Sequence, residues 1–330
     1  MKKFFLVAAI FAAAILLLGG LRLLRARRDT QKPPLPTAGA YAAGDYHEAL
    51  VIDGRTRMYH FRVPQGYSAA KKYPLVAVFH GGKGTGKRAM EQTKFDAKAD
   101  QEGFVAVFPD GIENSWNDGR GTAEAEKRGV DDVKFIRQLV SHLQSKLSID
   151  RKMVYAAGVS NGGMMSYRLG CDAADIFAAI GPDVANLPEP IEGRCIPSNP
   201  IPVVAINGFA DPFVPYNGGD CCGREGSIFG GQGGRVLSAR KTLEIFAEAN
   251  NCDNKYTVQT LPSVINDNTS VEKRTYNCPA GQEVISYVVN GMGHAWPPNP
   301  PQAPRIAGST SQNINATDVI WDFFKTHPRP

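Results

Sequence analysis

Beyond residue 28 the sequence has no surplus of charge of either sign. The chain has 330 residues, 37 of them Lys or Arg and 32 Asp or Glu. Six of the basic residues (Lys2, Lys3, Arg22, Arg25, Arg27 and Arg28) fall within residues 1–28, which hold no acidic residue. The remainder balances 31 basic against 32 acidic residues. Such a body lacks the basic footprint with which proteins hold phosphate backbones, which argues against a nucleic-acid partner. Zinc patterns are missing too. Cys171, Cys195, Cys221, Cys222, Cys252 and Cys278 form no C-x-x-C pair, and no Cys/His cluster has zinc spacing, so no metal is implied. No internal repeat is visible. With 43% hydrophobic and 21% charged residues, the chain is neither disordered nor short of core material, and it can build one large α/β domain.

The N-terminus reads as a targeting segment. Lys2 and Lys3 precede an uncharged run from Phe4 to Leu21, short for a membrane span and long for a signal-peptide core. Neither a small-x-small cleavage site nor a lipobox cysteine follows it. Residues 1–28 are therefore either a cleaved signal peptide or a signal anchor through residues 4–21, with the anchor favoured. Four arginines behind the run against two lysines before it would, taken alone, leave the body in the cytoplasm. The even cysteine count argues for an oxidising compartment instead, secreted, periplasmic or anchored outside the cytoplasm. The expected disulfides are Cys171–Cys195 and Cys252–Cys278, with Cys221 and Cys222 as a vicinal pair or free thiols. Residues 29–45, with Pro33, Pro34 and Pro36, read as a linker.

Residues 46–330 read as one catalytic domain in which strands and helices alternate. Strands are expected at Met58–Val63, Pro74–Phe79, Phe104–Phe108, Met153–Gly158, Ile201–Ile206 and Glu283–Val289. Helices are expected at Val130–Ile149, Gly162–Gly170, Leu237–Ala249 and Ala316–Lys325. The alternation implies an α/β fold with a mostly parallel central sheet and helices on both faces. Ligands of such sheets bind beyond the carboxyl ends of the strands.

There the sequence holds Gly158-Val159-Ser160-Asn161-Gly162, a G-x-S-x-G run between an expected strand and helix. On such a turn Ser160 becomes an exposed nucleophile, and the Asn161 amide can face a developing oxyanion. The fold's chain order of Ser, acid, His leaves His294 and His327 as bases. His327 sits in the terminal Thr-His-Pro-Arg-Pro tail, expected to be mobile. His294 follows a strand in a Gly-rich loop and is preferred. Asp211, in the turn after Ile201–Ile206, is the preferred acid, ahead of Asp183 and Asp220. The loop His80-Gly81-Gly82 should supply the second oxyanion amide, assigned to Gly82; His80 itself is a competing base. Gly81-x4-Gly86-Lys87 imitates a nucleotide-binding loop, but Arg88 stands where the magnesium-binding hydroxyl belongs. Lys83, Lys87 and Arg88 then read as a solvated rim.

The segments PLVAVFHGG, FVAVFPDG, SWNDGRG, GVDDVKFI, VYAAGVSNGGMMSYRLGC, INGFADPFVPYNGG and VNGMGHAWP resemble the polyhydroxybutyrate-depolymerase-like esterases, which overlap the feruloyl and acetylxylan esterases of carbohydrate esterase family one. The resemblance implies an α/β-hydrolase fold, an exported serine carboxylesterase working through an acyl-enzyme, no cofactor, and a triad at Ser160, Asp211 and His294. No added substrate-binding domain follows the last helix, so small or oligomeric soluble esters are expected rather than crystalline polymer. Trp116 and Trp296 are expected to hold the substrate. Gly218–Gly234, with eight glycines, reads as a lid-like loop or a surface insertion. A peptidase, an acyltransferase and a non-catalytic binding protein on the same scaffold are the alternatives, and the oligomeric state is left open.

Overall fold

The computed structural model describes residues 41–223, 232–253, 255–301 and 303–330. The targeting segment and most of the linker lie outside the described residues, as does the middle of the Gly218–Gly234 stretch. In chain order the strands are β1 (Gly44–Ile52), β2 (Arg55–Val63), β3 (Tyr73–Phe79), β4 (Val105–Pro109), β5 (Ile149–Val159), β6 (Ala179–Asp183), β7 (Val203–Gly208), β8 (Gly219–Asp220), β9 (Arg235–Val236), β10 (Tyr256–Thr260), β11 (Ser270–Tyr276) and β12 (Val284–Asn290). β8 and β9 pair with each other; the other ten form one sheet in the order β1-β2-β4-β3-β5-β6-β7-β12-β11-β10. The six central strands, β4 to β12 in that order, run parallel, and an antiparallel pair closes each edge.

The parallel strands are apolar on both faces because helices cover both. Along β5, Val154 and Ala156 point into one core and Tyr155 and Ala157 into the other. The first core takes Phe135, Leu139 and Leu143 from helix Asp132–Lys146, and Leu243 and Phe246 from helix Ala239–Ala249. The second takes Phe95 and Ala99 from helix Phe95–Glu102, and Ile320 and Phe324 from helix Ala316–Phe324. Each such large apolar side chain contributes about 1.5–3 kcal/mol by leaving water.

Several expectations need correction. The helix expected over Val130–Ile149 is shorter. The Asp131 side chain caps it by accepting from the Lys134 amide, Leu147 turns extended, and Ile149 already pairs with Tyr73. The apolar spacing of Leu147 and Ile149 continued the helical pattern although these residues begin the path into β5. Helix Ala239–Ala249 starts two residues later than expected, at the Ser238 cap. The domain begins before residue 46: Tyr41 is buried against Tyr46 and Phe61, and β1 starts at Gly44. Nor is the C-terminal tail loose. His327 is buried, with Nε2 2.7 Å from Glu283 Oε2, and the Arg329 amide donates to the Lys152 carbonyl. The cysteines form Cys171–Cys195, Cys252–Cys278 and the adjacent pair Cys221–Cys222.

Candidate active site

Four neighbouring strands deliver the site at their carboxyl ends. Ser160 follows β5, Asp183 ends β6, Asp211 follows β7 and His294 follows β12. Ser160 is the residue between β5 and helix Asn161–Asp172, with φ 58° and ψ −121°. A left-handed φ is costly for serine and persists where the surroundings over-determine it. The flanking glycines show what determines it here. A Cβ on Gly162 would lie 2.2 Å from the Phe79 carbonyl oxygen, and one on Gly158 would lie 2.4 Å from that of Gly162. The close approach of helix to strands β3 and β5 therefore requires both glycines, and the Ser160 amide is tied to the Asp183 carbonyl at 3.0 Å.

His294 and Asp211 are already paired, with Nδ1 2.7 Å from Oδ2. The Asp211 side chain is 1% exposed, and its other oxygen accepts from the amides of Phe213 (2.8 Å) and Val214 (2.9 Å). Those bonds fix the carboxylate, so the carboxylate fixes the imidazole and leaves Nε2 for another partner. Ser160 and His294 line one cavity of about 300 Å³, together with Gly81, Gly82, Lys83, Arg88, Phe213 and Ile306. No hydrogen bond joins Ser160 Oγ to His294 in this conformation; such bonds commonly tighten only when substrate binds.

The loop after β3 approaches the serine from the other side. An ideal Cβ on Gly81 would sit 3.5 Å from Ser160 Cβ, and one on Gly82 3.9 Å from Asn161 Cβ. In this loop the amides of Lys83 and Gly84 are engaged by the Asn114 and Gly81 carbonyls. The Asn161 amide, at the first position of its helix, has no intrahelical acceptor. His80 is buried beneath the loop. Its Nδ1 lies 2.8 Å from the Gly81 carbonyl and its Nε2 accepts the Gly111 amide at 2.9 Å, which assigns the proton to Nδ1. Burial holds its pKa down to about 4. His80 is thus a neutral strut of the loop, and both its nitrogens are spent.

Trp116 and Trp296 do not meet the substrate expectation. Both are completely buried and neither lines the cavity. Trp116 packs on Phe79 and donates from Nε1 to the His80 carbonyl. Trp296 packs on Phe95 and donates from Nε1 to Thr317 Oγ1. Position in sequence near the strand ends could not say on which side of the loops these rings fall.

Two features of the site were not legible in the sequence, a clamp and the environment of one reserve acid. The first is a buried clamp on Asn161. Its side-chain amide donates to Asp118 Oδ2 (2.5 Å) and the Trp116 carbonyl (3.2 Å), and its oxygen accepts from the Trp116 amide (2.9 Å). Asp118 is paired in turn with Arg120, the two side chains 0% and 1% exposed. Arg120 reaches on to the Gly233 carbonyl and the Gln232 side chain. The run SWNDGRG contained this signal, but nothing in it named Asn161 as the partner. The second is Asp183, fully buried, with no hydrogen bond to either carboxylate oxygen among the described residues. Burial and the neighbouring Asp211 raise its pKa well above the usual carboxylate range. Asp220, the other reserve acid, is exposed and pairs with Arg235.

The fold and its relatives define an α/β-hydrolase, a serine carboxylic-ester hydrolase. The family model described as esterase PHB depolymerase matches residues 58–187. NocK of Nocardia uniformis subsp. tsuyamanensis, a candidate esterase by name, is 30% identical over 278 residues, covering 83% of this chain and 80% of that protein. Feruloyl esterase B of Piromyces equi is 30% identical over 240 residues, covering 71% of this chain but 42% of that protein. Among solved structures, the acetyl xylan esterase from Aspergillus awamori superposes with a TM-score of 0.56 at 14% identity, over 85% of this chain and 99% of that one, a likeness of fold. The chain belongs to the polyhydroxybutyrate-depolymerase-type esterase family.

Proposed function

We propose that the chain hydrolyses small or oligomeric soluble esters outside the cytoplasm, with Ser160 as nucleophile, His294 as base and Asp211 as the acid that orients it. The observation that carries this reading is the junction of Ser160, on its left-handed turn, with a His294–Asp211 pair at one cavity. Ser160 Oγ attacks the ester carbonyl carbon while His294 Nε2 takes its proton. The carbonyl oxygen becomes an oxyanion held by the amides of Gly82 and Asn161. Collapse expels the alcohol, which leaves with the proton from His294, and Ser160 keeps the acyl group. Water, deprotonated by His294, then attacks the acyl-enzyme and releases the carboxylic acid, and the proton returns to Ser160. Asp211 holds the proton-bearing Nδ1 throughout and stabilises the imidazolium.

A cavity of about 300 Å³ favours a short acyl or single aryl group, and Lys83 and Arg88 on its wall favour a substrate with an anionic or polar end. The three disulfides support export, with residues 1–28 as signal peptide or anchor, residues 29–40 as the tether and the catalytic body from Tyr41. The test is turnover of p-nitrophenyl acetate and butyrate, then of methyl ferulate, hydroxybutyrate oligomers and acetylated xylan. Ser160→Ala should lose at least about 10³-fold in kcat on every ester the wild type cleaves. Equal rates in the two proteins would refute the assignment of the serine.

A further inference from the structure

We propose that the outer hairpin carries a binding site for one divalent cation of the zinc or nickel class, held by His47, His60 and Asp110. One nitrogen of each imidazole and one oxygen of the carboxylate lie within 4.8 Å of one another. The hairpin fixes the two histidines. Asp53 and Gly54, with φ of 50° and 74°, make the two-residue turn that pairs Ile52 with Arg55. Counting back from that turn sets His47 directly opposite His60, on the face away from the buried side chains of Tyr59 and Phe61. Their rings stack with centroids 4.0 Å apart and planes within 2°, so one ring turns on binding for both in-plane lone pairs to meet at one cation.

The third group comes from another strand. Asp110 follows β4, which runs antiparallel beside β2, and its amide donates to the Met58 carbonyl at 2.9 Å. Asp110 Oδ1 accepts the Gly86 amide at 2.6 Å, so the carboxylate is oriented and its second oxygen is left to ligate. The sequence spacing of these residues matches no metal motif, because three separate strands supply them. Two imidazole nitrogens and one carboxylate oxygen, with water in the remaining positions, suit zinc or nickel better than calcium or magnesium, which take oxygen sets. The other charges that act on His60 are Asp45, already paired with Arg62, and Lys87. None of the three ligands lines the cavity of Ser160, so cation binding and ester hydrolysis can be read separately.

The experiment is calorimetric titration of the full, metal-free chain with Zn²⁺ and with Ni²⁺ near neutral pH, for wild type, His47→Gln, His60→Gln and His294→Gln. His47 is exposed, so His47→Gln should fold and cleave p-nitrophenyl acetate as the wild type does. The expected result is one equivalent of cation in wild type and in His294→Gln, with affinity lowered about tenfold or more in His47→Gln and His60→Gln. Unchanged affinity in His47→Gln, binding lost in His294→Gln instead, or no heat of binding in wild type would each overturn the proposal. Loss of esterase activity in Ser160→Ala leaves this result untouched.

Discussion

Removing the Asp118 carboxylate should damage both the stability of the protein and the chemical step, through one buried chain of contacts. In Asp118→Ala the Arg120 guanidinium, 1% exposed, loses the two Nε contacts at 2.9 and 3.1 Å and keeps, among the described residues, neutral partners only: the Gly233 carbonyl, Gln232 and Cys221 Sγ. A buried cation stripped of its anion costs about 3–5 kcal/mol. In the domain of Tyr41–Pro330 that lowers Tm by about 5–8 °C. The same change takes from the Asn161 side chain its shortest bond, leaving it the two bonds to Trp116 at 2.9 and 3.2 Å. Asn161 follows the nucleophile, so slack in its side chain reaches the backbone amide proposed to hold the oxyanion. Loss of one such donor costs about 10²–10³ in kcat, and displacement should cost less, on the order of tenfold, with KM little changed. The decisive comparison is Asp118→Ala, Arg120→Met and the double variant, each measured by thermal melt and by p-nitrophenyl acetate kinetics. Removing both charges leaves no orphan, so the double variant should be more stable than additivity predicts by about 1–3 kcal/mol. Its kcat should stay low, because Asn161 still lacks its bond to Asp118. Additive stabilities, or a kcat in Asp118→Ala within about twofold of wild type, would refute the reasoning.

Three further outcomes follow from the same geometry. Asp211→Asn keeps the shape beside His294 but offers an amide where the imidazole donates, so kcat should fall by about 10⁴ with the fold intact, as measured by single-turnover kinetics and circular dichroism. Asp183 has a raised pKa in the folded chain, so the stability it leaves in place under acid is lost as pH rises above the ordinary carboxylate range. Asp183→Asn should therefore gain Tm relative to wild type at about pH 8 compared with pH 4, and parallel pH profiles would contradict this. His80 runs the other way. Its depressed pKa gives stability that is complete above the unfolded value of 6.5 and is lost as pH falls through about 4. Urea midpoints over that window should fall more steeply in wild type than in His80→Asn.

The legible part of the site was the part written locally. Gly158-Val159-Ser160-Asn161-Gly162 carries its own steric reason, since the crossing of strand and helix leaves no room for a Cβ at either glycine. The chain order of acid and base then pointed to Asp211 and His294, which the structure brings together at 2.7 Å. What failed was anything that depends on which side of a loop a ring falls. Trp116 and Trp296 lie beside functional segments in sequence, yet both indoles turn inward and spend their N–H groups on buried acceptors. The edge strands were missed for a related reason. β10 and β11 are largely exposed or half-buried on their faces, so the alternation that marks a strand against a core is faint there. β6 is short and contains Gly181 and Pro182, residue types depleted in strands.

Local pattern alone determined the α/β class, five of the six central strands and the identity of the serine turn, because burial on both faces and a crowded crossing each restrict residue type at neighbouring positions. Tertiary structure decided what meets across distance. It set Asp118 and Arg120 under Asn161, sealed Asp183 beside Asp211, anchored His327 on Glu283, and carried Asp110 to the paired histidines of the first hairpin. Those partners are chosen by strand order and by the depth at which each side chain is buried, and neither quantity has a period or a spacing along the chain.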